Sequence, residues 1–158
     1  MTSIVTNTRD DLLVYLNVDG AFSEEIKEAI SSGVPVSFSF FITLNRVRNL
    51  WIDKEIADIK ITHHIKYDNL KKEYTVRRSW ENGKPLVTPS FEEAQSLMAE
   101  VDSLKVVPLS RLEKGRHYQM SAKAELSKLT LPFYLHYVFF FVSLWDFETD
   151  WYTIDFVF

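Results

Sequence analysis

The chain has 158 residues, 46% of them hydrophobic and 25% charged, with a formal net charge of -4. That balance excludes a disordered, collagen-like or low-complexity protein and fits a single domain, 1–158, with its own core. The absence of cysteine removes disulfides, thiolate catalysis and cysteine-ligated metals, and the negative charge supplies no global field for nucleic acid.

Aromatic residues make up 15% of the chain against only 4 glycines, a composition that favours strands over long helices. Residues 1–10 read as a flexible tail. They show neither a charged-then-apolar leader nor a membrane-crossing stretch, which is weak support for a cytosolic address. From Asp11 to Asp19 the residues Leu12, Val14, Leu16 and Val18 fall on one face and Leu13, Tyr15 and Asn17 on the other, predicting a strand. Ser23 followed by Glu24 and Glu25 predicts a helix start, Ile26, Ala29 and Ile30 make its apolar stripe, and Gly33 and Pro35 end it.

The clearest strand starts at Val36, with Phe38, Phe40, Ile42 and Leu44 on one face and Ser37, Ser39, Thr43 and Asn45 on the other. Ile59, Ile61, His63, Ile65 and Tyr67 form a second alternating row, and after Asp68 and Asn69 the chain resumes at Tyr74, Val76 and Arg78. An antiparallel meander follows from this. Trp80 to Pro89 reads as a loop, and Ser90 with Glu93 as a capping box opening a second helix with the stripe Ala94, Leu97, Met98 and Val101. Leu104–Leu109 predicts a short strand interrupted by Pro108. Tyr118, Met120, Ala122, Ala124 and Leu126 predict another, and Trp151–Phe158 a last one.

The run 129–145 carries no charge and reaches the lower length limit for crossing a bilayer, about 17 residues. Pro132, His136 and its β-branched and aromatic content favour a buried strand; a helix on a membrane or partner and a true span are the competing readings. The sum is an α+β chain, mainly antiparallel β, with about eight strands in a sandwich or curved sheet and two short helices.

Chemistry-bearing patterns are few. Asp146, Glu148 and Asp150 at alternate positions would share one face of an extended chain, as a hard-cation site requires. Such a site also needs backbone carbonyls or a looped ligand set, and three acids at a strand junction are more often a solvated turn, so no metal is expected. His63 and His64 point to opposite faces of a strand, so they cannot share an ion; His63 falls in the apolar row as a hydrogen-bonded core residue. Together with His117 it is the general-base candidate of a hydrolase reading that lacks any nucleophile motif. No glycine pair is spaced for a phosphate loop, so no nucleotide cofactor is expected. Arg46 and Arg48 with Trp51, and Arg77 and Arg78 with Trp80, interleave cations and rings; Trp51, Trp80, Trp145, Trp151, Arg77 and Arg78 are the candidate interaction residues.

Three stretches carry a resemblance: Gly20 to Pro35, with Phe22-Ser23 and Gly33-Val34; Tyr67-Asp68-Asn69-Leu70 with Tyr74-Thr75-Val76; and Trp145 to Trp151, ending at Asp155-Phe156. In order and spacing the chain resembles the bacterial domain of unknown function 4390. The resemblance implies a protein of Gram-negative bacteria, exported to the periplasm or envelope by a leader that the start of this chain does not show. Similar genes lie beside a membrane sensor kinase in some genomes, which implies signalling; no catalytic residues are implied. The expectation is a non-enzymatic binding module for an envelope protein, such as a sensor kinase, with membrane contact allowed but no span. The alternative is a carrier for an apolar ligand such as a lipid, held by Phe133 to Phe141.

Overall fold

The computed structural model describes residues 1–48, 52–81, 84–127 and 147–158. Among them the order is β1 (Thr2–Asn7), β2 (Asp11–Asn17), α1 (Glu24–Ser31), β3 (Val36–Arg46), β4 (Lys54–Asp68), β5 (Glu73–Arg78), β6 (Pro85–Thr88), α2 (Phe91–Ala99), β7 (Glu100–Pro108), β8 (His117–Ser127) and β9 (Tyr152–Val157). Nine strands form two sheets, a small one ordered β1-β2-β7 and a large one ordered β6-β5-β4-β3-β8-β9. Every pairing is antiparallel. The α+β, mainly antiparallel architecture with two short helices is the one the sequence predicts.

The centre of the large sheet follows from period-two patterning. Val36, Phe38, Phe40, Ile42 and Leu44 of β3 are all buried, as are Ile61, His63 and Ile65 of β4 and Tyr118, Met120, Ala122, Ala124 and Leu126 of β8. Each large apolar side chain removed from water here contributes about 1.5–3 kcal/mol. Both helices lie against β4, α2 also against β5 and β6, while β1 and β2 face β9 across a groove at the other end of the sheet. One apolar cluster runs through both sheets and both helices.

The helix ends are specified locally. At α1 the Gly33 N–H donates to the Ile30 carbonyl at 2.9 Å and the Val34 N–H to that of Ala29 at 3.0 Å. This termination needs the left-handed φ of +90° that glycine adopts freely. At α2 the Ser90 hydroxyl accepts from the Glu93 N–H at 3.2 Å. The return half of the predicted box is relayed, because the Ser90 N–H donates to Thr88 Oγ1 at 3.1 Å, and Thr88 in turn donates to the Glu93 carboxylate.

Three expectations are corrected. Residues 1–10 are not a tail: β1 pairs with β2 from Thr2 opposite Asn17 to Asn7 opposite Leu12. Thr8 Oγ1 closes that hairpin by accepting the backbone N–H groups of Asp10 and Asp11. Within Trp80–Pro89, Pro85–Thr88 pairs with β5; proline at the first residue of an edge strand costs the ladder nothing. Finally, Val101 belongs to β7 and lies opposite Leu16, because α2 stops at Ala99 and the chain passes directly into the strand.

Candidate functional site

The alternation of β4 and β5 sends His63 and Arg78, which are cross-strand partners, to the inner face under α2. His63 is 0% exposed. Its Nδ1–H donates to the Met98 carbonyl at 3.0 Å, and its Nε2 accepts the indole N–H of Trp80 at 3.0 Å, which fixes the neutral tautomer. Burial holds the imidazole down at about 4 against an ordinary 6.5; the charges of Arg78 and His64 push the same way, and the bond to Met98 pushes against them. Arg78, 6% exposed, donates through Nε to the Leu97 carbonyl at 3.0 Å and pairs with Glu81 at 3.2 Å. Two side chains from the sheet therefore cap the carbonyls of the last turn of α2, where cationic and donor groups suit the helix dipole. Both ring nitrogens of His63 are taken, so its chemistry is architectural.

The sequence-predicted interaction residues separate on this frame. Trp51, Trp145, Asp146, the run 129–145 and with it Phe133 to Phe141 lie outside the described residues. Arg78 is buried and Trp80 half-buried, both held in the knot around His63, whereas Arg77 is exposed on the opposite face of β5. Trp151 is 51% exposed at the entry to β9. Its ring receives the Lys123 ammonium at 5.5 Å, and Lys123 and Lys60 both lie over Phe41, at 5.5 and 4.9 Å. Glu148 accepts from Lys123 at 2.6 Å, and Asp150 is exposed. Among the described residues no group of three or more His, Asp or Glu side chains is placed to hold a metal.

Among the described residues four strand edges frame the two sheets. β6 has four residues and opens on Pro85. β7 carries Glu100, Asp102 and Lys105, register shifts against β2, a left-handed Ser103 at φ 56° and a terminal Pro108. Short length, proline, charge and bulges are the features that stop an edge from accepting another strand. Among the described residues, edges β1 and β9 carry no proline and no bulge, and their one charged side chain is Asp155 of β9, which accepts from the Gln119 amide at 3.0 Å. Among the described residues β9 is paired on one side only, by β8. It exposes Tyr152 and, at 58%, Val157; β1 exposes Ile4 at 59%. These two edges lie together, bounding a groove of about 210 Å³ lined by Val5, Leu12, Ile154, Phe156 and Phe158.

Sequence reasoning missed two features. One is this pairing of unprotected edges, which needs β1 to be recognised as a strand. The other is a contact on the outer face of the large sheet, Ser37 Oγ to His64 Nδ1 at 2.7 Å; the doublets His63-His64 and Arg77-Arg78 were its signal, once the register of β4 and β5 was known. No helix among the described residues is long and apolar enough to cross a membrane.

A family model described as Domain of unknown function (DUF4390) matches residues 2–155, and the chain belongs to that family. No curated protein and no solved structure matches it.

Proposed function

We propose that this family member is a non-enzymatic interaction module that takes an extended segment of a partner protein onto the β9 edge, with Trp151 and the β1–β9 groove seating its side chains. The observation that carries the reading is the contrast among edges: β6 and β7 are blunted by length, proline, charge or bulges, while among the described residues β1 and β9 have neither proline nor bulge and border one apolar groove. Strand addition draws affinity from main-chain hydrogen bonds and specificity from pockets for alternate side chains. Exposed Trp151 and Tyr152 supply anchors of the kind that dominates such interfaces, with Val157 exposed beside them on the same strand. The expected address is outside the cytoplasmic membrane and the expected partner an envelope protein, a membrane sensor kinase first; both rest on the resemblance that the sequence carries.

The test is in-cell crosslinking from a photoreactive residue at position 151, with the attached segment mapped by mass spectrometry. One envelope protein captured through an extended segment is the expected result, and Val157→Lys, which charges the edge at an exposed position, should cut capture at least tenfold. Capture of lipid alone would transfer the function to apolar-ligand carriage. Capture indifferent to Val157→Lys would remove β9 from the interface.

A further inference from the structure

The outer face of β4 and β5 holds a second feature, remote in register from β9 and independent of the reading above. His64 lies opposite Arg77 and Lys66 opposite Thr75, so these four side chains form a two-by-two patch on one face of the hairpin. Together with Pro35, Ile65 and Asp68 they line an open cavity of about 440 Å³. Basic groups set side by side across a strand pair repel one another, and a sheet normally relieves this with a carboxylate opposite. Here, among the described residues, neither Arg77 nor Lys66 has an ion-pair partner. The carboxylate in the lining, Asp68, feels the Lys66 charge, but its main partners are in its own turn, where it accepts the backbone N–H groups of Leu70 at 2.9 Å and Lys71 at 3.1 Å. Ser37 holds the His64 ring by Nδ1 at 2.7 Å; with the hydroxyl donating, Nε2 carries the hydrogen and is left as a donor.

We infer that this cavity binds a phosphate group. The Arg77 guanidinium offers a planar pair of donors, Lys66 an ammonium, His64 an imidazole N–H and Thr75 a hydroxyl. Counting the guanidinium pair as two, these groups aim at least five donors, more than the about four lone-pair sites of a carboxylate, and they suit the three or four oxygens of a phosphate. The phosphate arrives on a small soluble ester or as a lipid headgroup, since the cavity is open to solvent and lies on an exposed sheet face.

Two arms on the intact chain separate these sources. In one, glycerol 1-phosphate is titrated while the His64 imidazole resonances are followed by NMR; in the other, the chain is floated with phosphatidylglycerol vesicles, with phosphatidylcholine vesicles as control. Saturable shifts at His64 that weaken at least tenfold in Arg77→Gln and vanish in the Arg77→Gln, Lys66→Gln double variant establish a soluble ester site. Flotation with phosphatidylglycerol only, lost in the same double variant, establishes a headgroup site. Both substitutions are at exposed positions, so an unchanged melting temperature certifies the fold. Absence of binding in both arms, or binding that the double variant retains, overturns the inference. Neither arm involves β9, so its failure leaves the strand-addition reading standing.

Discussion

His63 and His64 are neighbours on β4, and Arg77 and Arg78 are neighbours on β5, yet the ladder sorts them into two unlike pairs. The inner pair, His63 with Arg78, is sealed under α2, and its donors are met by the Leu97 and Met98 carbonyls and by Glu81. The outer pair, His64 with Arg77, faces solvent beside Lys66, and among the described residues its one side-chain hydrogen-bond partner is Ser37. Identical residue types in adjacent positions thus serve opposite ends. Inside, a polar group is retained because no buried side-chain polar atom among the described residues lacks a partner, and losing one strands the others. Outside, the same chemistry costs little to change and is free to meet a ligand. Substitutions at the four positions should therefore split by face and not by residue type.

The largest effect is expected at His63. His63→Ala removes a buried ring between β4 and α2, opens a cavity and leaves the Met98 carbonyl and the Trp80 N–H without partners, at a cost of about 4 kcal/mol. His64→Ala should change stability by less than about 0.5 kcal/mol, as exposed substitutions do. Urea midpoints at constant slope measure both. Equal losses at the two positions would erase the distinction between faces.

Acid should reproduce part of that loss without a mutation. The folded His63 titrates near 4 and the unfolded ring near 6.5, so the unfolded state takes up a proton first as pH falls. The contribution of the neutral imidazole is whole above about 6.5 and declines toward 4, by about 3 kcal/mol over the window. Urea midpoints taken between pH 7 and 4 should fall accordingly in the native chain. The same series on His63→Leu should be flatter by that amount; parallel curves would mean that other groups govern the acid limb.

How far these roles were legible in the sequence follows from the same ladder. The apolar row of β3 and the place of His63 within the row of β4 are visible in the period alone, because central strands bury every second residue. Arg78 is not visible that way. Its row includes Tyr74 and Val76, but a doublet of arginines beside Trp80 reads as a solvated cationic rim until α2 is known to present bare carbonyls above it. Likewise β1 buries so little that its alternation is faint, with Ile4 exposed, and only pairing with β2 defines it. Edges and caps depend on neighbours distant in sequence, and a pattern within one segment does not encode them.

The arginines extend the contrast at smaller scale. Arg78→Ala should cost about 2 kcal/mol, since it frees the Leu97 carbonyl and leaves Glu81 without its cation in a place largely shut from water. Arg77→Ala should stay within about 0.5 kcal/mol of the native chain. Thermal melts of the two variants side by side decide the matter, and a larger loss from Arg77 would place it in the fold and not on a free face.

Trp80→Phe is the finest probe, because it keeps a ring beside Arg78 and deletes only the N–H that His63 Nε2 accepts. One neutral hydrogen bond is worth about 1 kcal/mol, so the variant should be less stable by that much at pH 7. The deficit should not be constant. Once His63 is protonated its Nε2 has no lone pair to accept the indole N–H, so the native chain loses the same bond and the two stabilities converge as pH falls toward 4. A deficit that stays at about 1 kcal/mol across the acid range would show that Trp80 stabilises the chain through packing of its ring, with the bond to His63 contributing nothing measurable.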